Sequence, residues 1–220
     1  MALEPKRALE LHRRYGGKVS LRGKPIPQGE DFLLLTTPRW VGYVAQEIAH
    51  HPDQAYQYIC RFIGIISDGS AVSGLGALGP LAAMPDLESK AWQLAEYVGM
   101  NSVPLALETF NLPEDIEGNV REIVEFVRKL RVTFTGFLIE GIGAPRGSMI
   151  AERLTREGIV ALNGDAEGTA VVFLAALRVA ASRLGFKLDE EKVGIIGLGT
   201  VGLGIAGLLS RTGVGNLWGT

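Results

Sequence analysis

The chain has 220 residues, a net charge of −2 and a pI near 6.0, with its three Trp and five Tyr scattered, so it offers no basic, aromatic-lined surface and nucleic-acid binding is not expected. With 47% hydrophobic residues and a mean hydropathy of +0.20 it can bury one good core or two modest ones. No apolar run approaches the ~20 residues that cross a bilayer, and the start Met1-Ala-Leu-Glu-Pro-Lys-Arg7 lacks the apolar centre of a secretory signal, which makes a cytoplasmic protein the expectation.

Glu4 to Tyr15 carries apolar residues at helical spacing and is stopped by Gly16-Gly17, predicting a short N-terminal helix. Lys18 to Gly29, with Pro25 and Pro27, reads as extended or loop-like, and Asp31 to Thr37 leads into Pro38 as a loop position where function can sit. Val41 to Ala49 and Gln54 to Ile59 are predicted helices separated by His50-His51-Pro52-Asp53. The paired histidines have no third ligand at metal spacing and read as a solvated helix end. The single Cys60 cannot form an internal disulfide, and its strand-like surroundings predict a small buried side chain. Phe62 to Ile66 is a predicted buried strand. The small-residue turn after it, Ser67 to Gly79, either exposes backbone N–H groups to an anion or packs strand tightly against helix.

Glu88 to Gly99 is a predicted amphipathic helix, Ser102 to Glu108 a strand, and Leu112 to Leu130 a helix with Ile123, Val124, Phe126 and Val127 on its apolar side. Thr135 to Arg146 reads as a strand entering a glycine-rich loop, with Glu140 at the strand's C-terminal end. After the predicted helix Ser148 to Glu157 and the short strand Ile159 to Leu162, the turn Asn163 to Thr169 carries Asp165 into a helix over Ala170 to Leu184. Strands alternating with helices predict an α/β fold with a largely parallel sheet, in which ligands gather at the carboxyl ends of strands.

Beyond the linker Gly185 to Lys192, Gly194 to Leu209 reads as a strand, a tight turn and a helix. Gly197, Gly199 and Gly202 have the G-x-G-x-x-G spacing: the first permits the turn, the second lets the backbone approach a pyrophosphate, and the third allows close helix-to-strand packing. A dinucleotide site also needs a second strand ending in an acidic residue for the ribose. The sequence stops at Asn216-Leu-Trp-Gly-Thr220, so the nucleotide site is opened but not finished. A lone βα unit leaves strand and helix partly uncovered, which predicts self-association as a homodimer.

Taken in order, Tyr15-Gly-Gly-Lys-Val19, Ile65 to Gly79, Ile139 to Arg146, Asp165 to Ala170 and the Gly197 turn give a chain that resembles the malic enzymes, specifically the shorter bacterial and archaeal type. The resemblance implies a parallel-sheet substrate and metal domain over 1–168, then a connecting helix and a truncated Rossmann-like NAD(P)-binding βα unit over 169–220. It implies hydride transfer from malate to NAD or NADP and decarboxylation to pyruvate and CO2, with a Mg or Mn ion, in a homodimer. Residue by residue, Glu140 and Asp165 match two metal ligands and the third position is Gly141. The tyrosine position falls on Thr36, the lysine position on Ala95, and the Asp that follows on Asn101. A lysine is needed to take the hydroxyl proton and a tyrosine to protonate the enolate, tasks that alanine and threonine do not perform. Tyr43 substitutes only if its loop is rebuilt, and Lys90, five residues before Ala95, is predicted to be rotated off that face. The alternative is therefore a catalytically deficient relative that binds or assembles without turnover, with Glu140 and Asp165 serving only as loop and helix caps.

Overall fold

The computed structural model describes residues 14, 18–19, 28–72, 74–109, 115–214 and 216–220, so the predicted N-terminal helix lies almost wholly outside the described residues. The chain divides into two compact units: residues 19–61, and residues 1–18 together with 62–220. In the smaller unit, α1 (Glu30–Thr36), α2 (Pro38–His50) and a 3-10 turn over Pro52–Gln57 follow one another. The stretch expected as a loop is thus helical. Glu30 and Asp31 place negative charge in the first turn of α1, and the extended Thr37 followed by Pro38 starts α2 where a missing N–H costs nothing. Cys60, expected to be buried, is exposed because the chain turns between the 3-10 segment and the next strand.

The larger unit contains β1 (Phe62–Ser67), α3 (Pro80–Gln93), β2 (Ser102–Ala106), α4 (Ile116–Leu130), β3 (Phe134–Ile139), α5 (Arg146–Arg156), β4 (Ala161–Asn163), α6 (Thr169–Leu184), β5 (Lys192–Ile195), α7 (Thr200–Arg211) and β6 (Asn216–Gly219). Four strands form a sheet in the order β2-β1-β3-β4, and all its pairings are parallel. Successive side chains of a strand point to opposite faces, and the neighbours Ile65 and Ile66 are both fully buried because both faces are covered. Ile65 packs with Leu87 and Ala91 of α3, whereas Ile66 joins Val120, Ile123 and Val127 of α4 and Ile150 and Leu154 of α5. Helix α4 is capped by Asp115, whose carboxylate accepts from the Gly118 N–H at 2.7 Å.

Helix α3 starts earlier than expected, at Pro80, and runs into a π-helical turn over Leu94–Val98 that ends at Gly99 with a left-handed φ of 71°. Near the C-terminus, β5 and β6 pair in parallel from Lys192 opposite Asn216 to Ile195 opposite Gly219, so the expected βα unit extends to βαβ. Among the described residues no helix is long and apolar enough to cross a membrane.

Candidate functional site

Strands β3 and β4 are parallel neighbours with Ile139 opposite Asn163, so the residues that follow each strand emerge side by side. Glu140 follows β3 directly and is 2% exposed. Asp165 sits in the π-helical turn Gly164–Gly168 that follows β4, and its Oδ2 accepts from the Gly141 N–H at 2.9 Å. From α3, the Lys90 ammonium lies 3.6 Å from Glu140 Oε1. The glycine at 164 is required, because a Cβ there would collide with the Glu140 carboxylate. Glu140 Oε2 is buried and accepts no hydrogen bond. Burial pushes the Glu140 carboxyl up to about 7; the Lys90 charge acts against this, and the Asp165 and Asp86 charges act with it.

Two expectations change here. The lysine position fell on Ala95, which is exposed in the π-helical turn, and Lys90 was expected to point away. Lys90 instead reaches Glu140, because the buried face of α3 is Ala83, Leu87 and Ala91, and position 90 adjoins that face. Asp165 does not cap the helix that follows it: the cap of its turn is Asn163, whose side chain accepts from the Ala166 N–H, while Asp165 ties the turn to the Glu140 loop. Thr36 lies in the smaller unit, exposed, with its hydroxyl donating to the Phe32 carbonyl at 2.7 Å inside α1. In the same unit Tyr43 stacks on Trp40.

The turn after β1 holds the acidic loop in place. Asp68, fully buried, pairs with Arg146 at 2.6 Å, and Arg146 also donates to the Ser70 hydroxyl and to the Asn119 side chain. Three N–H groups at the start of this turn are taken up by the protein itself: Ser70 donates to Asp68, Gly69 to the Ser67 hydroxyl, and Ala71 to the Gly141 carbonyl at 2.9 Å. Close packing, the less functional of the two expectations for this turn, is what the structure shows. The sequence reading missed Asp68 and Arg146. Their only signal was a buried-strand end followed by Asp, and an Arg at a helix start 78 residues later.

In the nucleotide-type turn, Gly197 has a φ of 92°, a conformation that side chains rarely adopt. Gly199 is extended and precedes α7, and Gly202 is buried so tightly that a Cβ would strike the Gly197 carbonyl. Two of the three glycine roles are therefore visible as geometry. A fourth glycine was not foreseen: a Cβ on Gly204 would lie 2.5 Å from the Ala166 carbonyl oxygen, so α7 passes directly over the turn that carries Asp165.

A buried Glu140 with an unpartnered oxygen and a half-buried Asp165 supply the hard oxygen donors that Mg or Mn takes, and such ions are commonly held by one or two carboxylates together with substrate and water. These residues suit a two-carboxylate cation site but not the three-carboxylate cluster that the resemblance implies. Gly141 has no oxygen to offer in its side chain, and among the described residues no group of three or more His, Cys, Asp or Glu is placed to hold a metal ion.

No protein-family profile matches the chain. It is 36% identical to the NAD-dependent malic enzyme of Geobacillus stearothermophilus over 93% of this chain and 42% of that protein. It is likewise 36% identical to NAD-dependent malic enzyme 1 of Bacillus subtilis (strain 168), over 96% of this chain and 47% of that one. Among solved structures it matches the NAD-dependent malic enzyme of Thermotoga maritima with a TM-score of 0.86 at 33% identity, covering 96% of this chain and 55% of that chain. The malic enzyme of Pyrococcus horikoshii matches with a TM-score of 0.87 at 30% identity, covering 97% and 49%. The chain spans about half the length of the curated relatives it matches. That sequence likeness runs through nearly all of its residues, and its parallel α/β fold matches theirs, so the chain is a homologue of the malic enzymes over about half of their length.

Proposed function

We propose that this chain forms the acid-binding and base-bearing part of a malic-enzyme-type oxidoreductase that oxidises malate with NAD or NADP. The observation that carries this reading is the Lys90 ammonium 3.6 Å from the buried Glu140, on a loop that Asp165 ties down. The close pass of α7 at Gly204 supports it, because the dinucleotide-type turn and the acidic centre then share one framework. Relatives include both NAD-dependent and NADP-dependent malic enzymes, so both nucleotides stay in the reading.

In this reading the Lys90 amine, unprotonated, takes the proton of the substrate hydroxyl while the C–H electron pair leaves as hydride to the nicotinamide. The products of that step are the 2-oxo acid, the reduced cofactor and a protonated Lys90. Glu140 and Asp165 would hold the Mg or Mn ion, which when bound acts as a Lewis acid toward the substrate oxygens. Residues 1–168 provide the substrate and metal part and 169–220 the start of the nucleotide part, in a cytoplasmic homodimer.

The test is malate-dependent formation of NADH or NADPH with Mn, compared between the chain and Lys90→Met, each joined to the nucleotide domain of a relative. The reading expects turnover that falls by about a hundredfold or more in the variant, the usual contribution of a positioned base. Equal turnover in both would sink it. A second reading, a relative that binds without turnover, is favoured by Gly141 at a ligand position and by the Thr36 hydroxyl being spent inside its own helix. It expects malate to bind with no reduced cofactor formed, and turnover to appear only after Gly141→Asp and Thr36→Tyr are combined.

A further inference from the structure

We infer that Lys90 is a built-in competitor of the divalent cation at Glu140, so that the Lys90–Glu140 ion pair and a cation bound by Glu140 and Asp165 exclude one another. The inference rests on the reading that these two carboxylates face the cation. Glu140 is the pivot. One of its oxygens is 3.6 Å from the Lys90 ammonium, and the other is buried and accepts no hydrogen bond. The side chain therefore has one oxygen for a further positive partner, while the other already faces an ammonium.

Asp165 is committed in the same way, with Oδ2 accepting from the Gly141 N–H at 2.9 Å. That N–H belongs to the residue at which the resemblance places a third carboxylate. Gly141 has a φ of 59° and a Cβ built on it would lie 3.0 Å from the Ser67 hydroxyl, so the loop is built around a backbone donor and not around a third acid. A divalent ion entering here meets one carboxylate fewer than the resemblance implies and an ammonium already in place. The Lys90 side chain is 37% exposed and can withdraw to solvent, whereas Glu140 cannot. The movable member of the pair is thus the lysine.

The experiment is Mn binding by the full 220-residue chain, followed through the electron paramagnetic resonance of free Mn, for the parent, Lys90→Met and Lys90→Arg. Circular dichroism serves as the check that each variant is folded. Removing the ammonium while keeping its aliphatic stem is expected to tighten Mn binding by about tenfold or more, and the arginine, which keeps the charge, is expected to leave it near the parental value. Unchanged or weaker binding in Lys90→Met overturns the inference, as does equal tightening in both variants, which would mean shape and not charge governs the site. An absence of Mn binding in all three, up to millimolar Mn, overturns it too. Glu140→Gln, which deletes the shared partner, is expected to abolish the difference between lysine and methionine at position 90, and persistence of that difference counts against the inference. Because nothing here is read from turnover, a chain that binds Mn as expected but fails to oxidise malate would sink the proposed reaction and leave this inference standing.

Discussion

Replacing Glu140 by Gln probes the centre through stability instead of catalysis. Burial raises the Glu140 carboxyl from 4.5 to about 7, so the folded protein holds this proton more tightly than the unfolded chain does. The protonated carboxyl therefore contributes its stability fully below about pH 4.5, and that contribution is lost as the pH rises through about 7. The rise from 4.5 to about 7 corresponds to about 3.5 kcal/mol at most, since each pH unit is worth about 1.4 kcal/mol. Glutamine has the same shape and never ionises. In metal-free buffer with a chelator, urea unfolding between pH 4.5 and 8.5 should show the parent losing stability relative to Glu140→Gln across the interval, by an amount approaching that limit. The variant should be the more stable of the two at pH 8. Parallel stability curves would refute the argument, because they would mean that Glu140 ionises in the folded protein as it does in water. Lys90→Met should steepen the parental loss, since the ammonium holds the carboxyl down, and Asp165→Asn should flatten it.

Arg146→Met should be strongly destabilising, by about 3–5 kcal/mol in thermal or urea unfolding, because it strands the fully buried Asp68 without its cation. Gly204→Ala puts a methyl group 2.5 Å from the Ala166 carbonyl oxygen, which should cost about 1–3 kcal/mol and displace the Asp165 turn, read as altered amide chemical shifts in Gly164 to Gly168. Gly164→Ala forces the Glu140 carboxylate aside and should remove the pH dependence described above along with part of the stability. Asp115→Ala should cost about 1 kcal/mol, the usual value of a helix N-cap, without touching the acidic centre.

Much of the architecture was legible from the residues alone. The alternation of Phe62–Ser67, Phe134–Ile139 and the intervening helical stretches read correctly as parallel α/β, because hydrophobic period and turn glycines are local properties that tertiary packing here reinforces. Asp31 to Thr37 was misread because Thr and Pro weigh toward turns in isolation, whereas Pro38 actually starts a helix. Cys60 was misread because an apolar neighbour such as Ile59 does not reveal which way a loop faces.

Sequence alone determined the order of elements, the positions of Glu140 and Asp165 at successive strand ends, and the glycine turn at Gly197, since each depends on residues a few positions apart. Only the tertiary structure decided that Lys90 and not position 95 lies beside Glu140, that Asp68 and Arg146 lock the loop between them, that Gly164 and Gly204 must lack side chains, and that Asn216–Gly219 pairs with Lys192–Ile195. Lys90 and Glu140 are 50 positions apart, and Asp68 and Arg146 are 78 apart. Their meeting is set by how α3 packs on the sheet and by the order β2-β1-β3-β4, neither of which any local spacing encodes.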